Sequence, residues 1–414
     1  MSNEKLESKR WWIAVAAIIM QLCLGSVYAW SVYKKPLMTA HGWAEFPTQA
    51  TFMIAIFIIG LSAAFGGILV DKKGPKFVAT IGGILFGIGT LIAGWAAQTG
   101  SLLLLYVGFG LIAGLGNGFG YVTPIATLIR WFPDKRGLVT GLAVMGFGLG
   151  AFFIGKIVPG MIVSMGVPTT FYILGAIFLV LVTGSAQMFK NPPQGWVPAG
   201  FTPPAAARSA ADSFKLNEAI STPQWWMLAA MLFLNISAGL GLLSQLSPLA
   251  QDILKKTATN PDPAALAVYL ATAGGLVLAI TSIFNGLGRL FWASLSDKIG
   301  RRNVFITMFA SQAVLYILLP QVTGIVLFTI IGCYLLACYG GGFATMPAFA
   351  ADAFGPANIG RIYGIMLIAW GLAGVAGPLV FAAIKDIALY VAAGMLILGL
   401  VIALVYKKPE KKAA

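Results

Sequence analysis

Runs of about 20 apolar residues, each long enough to cross a hydrocarbon core of ~30 Å, recur along the whole chain between short polar or charged segments. Twelve are read, at approximately 11–33, 50–70, 76–97, 101–129, 137–159, 168–189, 224–247, 266–294, 303–319, 324–351, 358–384 and 387–406. The pattern predicts an all-α integral membrane protein, and no soluble domain of useful size remains between the runs. The first run follows MSNEKLESKR. It is too long for a secretion signal and lacks a small-residue cleavage site, so an anchored helix is expected.

Composition agrees. Asp, Glu, Lys and Arg make up 10% of the chain, 59% of it is hydrophobic, and the mean hydropathy is +0.88; soluble domains carry about 25% charge. The net charge of +14 would suggest a nucleic-acid partner were it clustered, but its distribution reports topology instead. With both termini in the cytoplasm, 20 of the 27 lysines and arginines fall on that side, as the positive-inside rule requires. Six fall in outer segments, among them Lys34, Lys35 and Lys385. Cys23, Cys333 and Cys338 lie within runs without metal-ligand spacing and read as packing residues. The lone His41, beside Gly42, reads as a solvated loop residue. No Ser-His-Asp, metal-ligand or phosphate-loop constellation appears, so neither an enzyme, a metal site nor a cofactor is expected.

An internal repeat organises the runs. Pro124, Pro133, Gly137, Gly141, Gly148 and Leu149 recur as Pro347, Pro356, Gly360, Gly364, Gly371 and Leu372, at a constant offset of 223. Earlier in each half GGILVDKKGPK at 66–76 matches WASLSDKIGRR at 292–302, which aligns Asp71 with Asp297 and Gly74 with Gly300. Two pseudo-symmetric six-helix bundles follow, at 1–189 and 224–414. Residues 190–223 contain NPPQGWVPAGFTPP, cannot form a membrane helix, and are expected to be a cytoplasmic linker.

This organisation resembles the major facilitator superfamily, and GILVDKKGPK has that superfamily's hallmark pattern of Gly-x-x-x-Asp-basic-x-Gly between spans two and three. LGSVYAWSVY at 24–33, RWFPDKRGL at 130–138, FNGLGRLFW at 284–292 and GGGFATMPAFAADAFG at 340–355 are similar to the oxalate/formate antiporter family, close to the monocarboxylate transporters. The resemblance implies a secondary transporter of a small monocarboxylate, such as lactate or pyruvate, working by alternating access about a midplane site. It also implies gating by inter-helix charge contacts among Asp71, Lys72, Arg136, Asp297, Lys298 and Arg301. A compact chain with little beyond its spans points to a bacterial inner membrane, and a monomer is expected.

The residues name a site of their own. Arg289 is the one charge in the middle of an apolar run, where a charged group costs roughly 2.5–3.5 kcal/mol on insertion scales and usually faces a water-filled cavity or a partner. Eight residues separate it from Asp297, placing it about 12 Å from the cytoplasmic boundary. Asn285, one turn earlier, shares its face. A carboxylate suits the pair because the guanidinium offers a planar fork to both oxygens. In the first half Ala63 and Ile59 occupy the corresponding positions, so fold maintenance common to both halves does not require them. Tyr28, Tyr121, Tyr339, Phe343 and Trp370 fall near the middles of spans one, four, ten and eleven and are candidates to complete an aromatic pocket.

Two departures from the relatives bear on the substrate. Oxalate carriers of the family are understood to use a lysine in helix eleven, where Trp370 stands here; one fixed cation matches one carboxylate. The animal monocarboxylate transporters typically have Asp where this chain has Asn285, which does not titrate. A proton could be carried on the substrate's own carboxyl group, or could involve Lys385 and Asp386 at the outer end of span eleven. An oxalate/formate-type exchanger is the alternative, and a non-transporting membrane sensor the distant one.

Overall fold

The computed structural model describes residues 3–132, 134, 136–193, 196–200, 213–256, 262–355, 359–385 and 387–410, and all regular structure among them is helical. Among the described residues, eleven stretches are long and apolar enough to cross a membrane. One of them, Gly141–Ala186, has 46 residues, and an unbroken helix of that length would measure about 70 Å, more than twice a hydrocarbon core. Gly166, at φ 80° and ψ 165°, breaks it into two crossings. Twelve transmembrane helices result.

In the first half these are α1 (Leu6–His41), α2 (Glu45–Lys73), α3 (Pro75–Thr99), α4 (Leu102–Leu128, its helix continuing to Trp131), α5 (136–165) and α6 (167–186). The second contains α7 (Pro223–Lys255), α8 (Pro263–Ile299), α9 (Arg301–Leu318), α10 (Ile325–Phe354), α11 (Ile359–Ala383) and α12 (Ala388–Val405). An even number of crossings puts both chain ends and the segment joining the halves on one face, called here the terminal face. The first helix runs beyond the expected end at 33 as far as His41, so Lys34 and Lys35 are helix residues and not loop residues.

The repeat is visible in the backbone. Gly74 (φ 84°, ψ 159°) ends α2 and begins α3, and Gly300 (φ 87°, ψ 146°) does the same between α8 and α9. This conformation is essentially open only to glycine, which lets each half reverse direction in a single residue. The seam between the halves repeats as well. There α2 packs on α11 and α5 on α8. A methyl group on Gly60 would lie 2.9 Å from the Cα of Gly371, and one on Gly148 3.1 Å from the Cα of Gly286. Gly60 and Gly286 are partners at the offset of 226, Gly148 and Gly371 at 223. Two equivalent glycine pairs thus allow the four helices to meet backbone to backbone.

The described parts of the connecting segment rest on both halves. The Trp131 indole donates to Lys190 O at 2.5 Å, Trp131 packs on Trp196, and Ala199 N donates to Glu7 at 3.1 Å. Phe214 N bonds Phe354 O at 2.8 Å.

Gly300→Ala is expected to destabilise the protein by about 1–3 kcal/mol through backbone strain alone. Lys298→Ala, at an exposed neighbour, should be near neutral. Thermal unfolding of the two variants in detergent, side by side, checks the difference.

Candidate functional site

Local irregularities place the central side chains. A 3-10 segment, Gly25–Ala29, interrupts α1 and carries Tyr28. The carbonyl of Leu24, at its edge, accepts a bond from Asn117 Nδ2 of α4 at 2.8 Å. Gln21 donates to Tyr121 O at 3.1 Å, tying α1 to the next turn of α4. Pro124 in α4 and its repeat partner Pro347 in α10 lie just beyond Tyr121 and Phe343. Each proline withdraws an N–H from the carbonyl four residues back and loosens the helix there. In α10 the absence of a side chain at Gly340 lets α8 approach, since a methyl group would sit 2.3 Å from Asn285 O and 3.0 Å from Arg289 Cγ.

These elements converge on Arg289. The residue is 2% exposed and Asn285 1%. Its Cζ lies 5.3 Å from the Phe343 ring centroid, and its Nε faces Gly148 of the other half, 3.2 Å from where a methyl would stand. Tyr28, Tyr121, Tyr339 and Tyr363 stand around the guanidinium. Around it the rings interlock: Tyr28 and Tyr121 meet Phe147 edge-on at 5.1 and 5.0 Å, Phe343 lies 5.6 Å from Trp370, and Tyr121 lies 6.1 Å from Trp370. Across the seam Tyr339 donates to the Tyr28 hydroxyl at 2.6 Å.

The enclosure is sealed but electrically incomplete. Nε and Nη1 of Arg289, Oδ1 of Asn285 and the Tyr363 hydroxyl have no hydrogen-bond partner, and among the described residues Arg289 makes no ion pair. Burying a cation costs several kcal/mol even after relaxation, whereas a cation–π contact returns about 0.5–2 kcal/mol. The protein therefore leaves unused donors at its centre, arranged as a planar anion would need them.

All seven sequence-derived pocket residues, Tyr28, Tyr121, Asn285, Arg289, Tyr339, Phe343 and Trp370, meet in this enclosure. Phe147 and Tyr363 join them without having been singled out, because nothing in a ring-rich sequence distinguishes them. The charged motif residues lie apart from this enclosure, on the terminal face. Arg301 pairs with Asp297 at 2.5 Å and Asp352 at 3.1 Å, joining α8, α9 and α10 of one half. Lys72 and Lys298 are exposed and, among the described residues, form no ion pair. The side chains of Asp71 and Arg136, and the whole of Asp386, lie outside the described residues.

Lys385 reaches Glu45 of α2 across the seam. It does so within a cluster on the face opposite the termini. Lys34 is 1% exposed and bonds Glu45 at 2.8 Å as well as Gln245 of α7. Beside it Lys35 pairs with Asp252 at 2.7 Å. Sequence reasoning missed this cluster by ending the first helix at 33, which made both lysines look like loop charges. A cavity of about 750 Å³ opens on the same face between α1, α5, α7 and α8. None of its lining residues belongs to the aromatic enclosure.

A family model of the Major Facilitator Superfamily matches residues 11–277 and 259–414, and the chain belongs to that family. It is 30% identical over 382 residues to the oxalate:formate antiporter of Oxalobacter formigenes, covering 92% of this chain and 86% of the relative. Against an uncharacterized MFS-type transporter of Escherichia coli it is 28% identical over 380 residues, with coverage of 90% and 87%. The apicoplast pyruvate carrier 1 of Toxoplasma gondii is 23% identical over 470 residues, with coverage of 88% and 82%.

Because Tyr28 and Tyr339 share one hydroxyl bond, Tyr28→Phe and Tyr339→Phe should each cost about 0.5–1.5 kcal/mol, and the double variant no more than either. A thermal-unfolding cycle measures this coupling; fully additive losses would mean that the bond does not join the halves.

Proposed function

We propose that this superfamily transporter carries small monocarboxylates of the lactate and pyruvate kind, by alternating access and in symport with a proton. The observation that carries the proposal is the buried guanidinium at the seam, with two of its nitrogens unpartnered and rings of both halves around it. A carboxylate docked on Arg289 would satisfy both nitrogens and neutralise the charge, which favours closure of the halves about it. Asn285 would hold a second polar atom of the substrate, and Tyr28, Tyr121, Tyr339, Phe343 and Trp370 would exclude water and limit its size. Among the described residues no second cation stands in the enclosure, and Trp370 packs against Phe343 and Tyr121. That supports one carboxylate over two. Of the relatives' printed substrates, formate and pyruvate are monocarboxylates and oxalate is a dicarboxylate.

The proton would travel on the substrate carboxyl, whose neutralisation weakens its hold on Arg289 and assists release. The excess of basic residues on the terminal face supports an orientation with the termini in the cytoplasm and the opposite face external. A bacterial inner membrane and a monomer complete the proposal. Exchange of two anions is the second reading, favoured by the 30% identity to an oxalate:formate antiporter. Exchange would require an internal countersubstrate and ignore an imposed proton gradient.

Flux in proteoliposomes separates these readings. Arg289→Ala is expected to lower apparent affinity by about tenfold to a hundredfold, the loss of a charged hydrogen bond, with unchanged expression and melting. Asn285→Ala should lose less. Near-normal lactate flux in Arg289→Ala would discard the site. Counterflow of labelled lactate, pyruvate, formate and oxalate over a pH series ranks the substrates, and uphill lactate uptake driven by a proton gradient without internal anion is the result expected of symport.

A further inference from the structure

On the face opposite the termini one carboxylate gathers three donors from both halves. Glu45 Oε1 accepts from Lys34 at 2.8 Å and from Gln245 Nε2 at 3.0 Å, while Lys385 pairs with Oε2. Lys34 bonds Gln245 in turn. Both oxygens of a first-half side chain are thus engaged, and two of the three donors, Gln245 and Lys385, stand on the second half. Other charged or titratable groups border the cluster. They are Lys35 and Asp252, paired at 2.7 Å, Tyr106 of α4, whose hydroxyl donates to Pro47 O at 2.7 Å, and His41, which stacks on Trp43 at 4.6 Å. Asp386 lies outside the described residues.

We propose that Glu45 is a proton-binding site that unlocks this face. Ionised, it draws Lys34, Gln245 and Lys385 together and joins the halves with charge-assisted bonds, about twice as strong as neutral ones. Protonated, it leaves two ammonium groups beside one neutral acid. Their mutual repulsion then opposes closure, with Gln245 alone left to bridge to Lys34. The sign follows from the charge: closure contributed by Glu45 is complete above its titration and is lost as pH falls through it. A single proton shifts the closed-to-open balance by at most about tenfold per pH unit. The site admits protons from the face it controls, since Lys385 is 61% exposed and Glu45 13% in their side chains. It therefore gates access and does not carry the transported proton. That this face is external rests on the orientation proposed above; the gating itself does not depend on Arg289 binding a carboxylate.

The test needs no substrate. Cys23, Cys333 and Cys338 are replaced by Ala in the full chain, spin labels are attached at Thr39→Cys on α1 and Lys256→Cys beyond α7, both exposed positions, and distances are measured in lipid nanodiscs. Lowering the pH by about two units should raise the long-distance population many-fold, up to the one-proton limit of about a hundredfold. Glu45→Gln should show the long distance at every pH, and Glu45→Asp, which keeps a titrating group and controls for folding, should retain the response. His41→Gln should behave as the unsubstituted protein. The proposal is overturned if the unsubstituted protein gives no response, if the response persists in Glu45→Gln, or if His41→Gln removes it. Arg289→Ala should leave these distances pH-dependent even if it abolishes flux, so failure of the gate and failure of the substrate site are told apart.

Discussion

A buried guanidinium without an acid is the constraint around which this protein is arranged. Neither the Phe343 ring nor the nearby phenols supplies the full charge compensation that water would give Arg289, and two of its nitrogens bond nothing. Such a group is tolerated only where the fold over-determines its surroundings. Gly340 lets α10 close on α8 from one side, and Gly148 admits the guanidinium against α5 from the other. The two contacts come from different halves, so the electrostatic cost is shared across the surface along which transporters of this family move.

Symmetry in the backbone and asymmetry in the chemistry are kept apart with some economy. Gly60 on Gly371 and Gly148 against Gly286 repeat one contact twice, and Gly74 and Gly300 repeat one turn. Between these shared positions the halves diverge where chemistry is needed: Ala63 and Ile59 in the first half correspond to Arg289 and Asn285 in the second. The repeat supplies two helical halves and a close seam between them. Only one of them brings the cation, and the other faces it with Tyr28, Tyr121 and Phe147.

The sequence shows the fold so plainly because the bilayer imposes strong rules. Span length, the repeat offset and the basic bias between segments each constrain the architecture independently. Arg289 was legible for the same reason, since an apolar run makes one charge conspicuous, and the aromatic residues chosen with it occupy the middles of the surrounding helices. What could not be read were positions whose meaning depends on a neighbour in space. Phe147 and Tyr363 are ordinary aromatics until the helices meet. Lys34 lies at a hydrophobic boundary, and without the structure a lysine there is indistinguishable from a solvated anchor. Of the hallmark motif's charges, Arg301 forms inter-helix contacts within the second half, while Lys72 and Lys298 are exposed.

The two faces consequently differ in what holds them. On the terminal face Arg10 with Glu7 and Asp134, and Arg301 with Asp297 and Asp352, form pairs within one half or the other. On the opposite face Lys34 to Gln245, Lys35 to Asp252 and Lys385 to Glu45 all cross the seam. Separating the halves there would break the cross-seam contacts and leave Lys34 and Glu45 side by side on α1 and α2 of the first half. The Lys35–Asp252 and Lys385–Glu45 pairs are partly or largely exposed, and such pairs contribute about 0–1 kcal/mol each. The barrier to opening would therefore lie in these exposed pairs together with the buried Lys34–Gln245 bond and the Gln245–Glu45 bond, contacts that protonation of Glu45 weakens together. A balance of a few kcal/mol is what a single ligand or a single proton can tip.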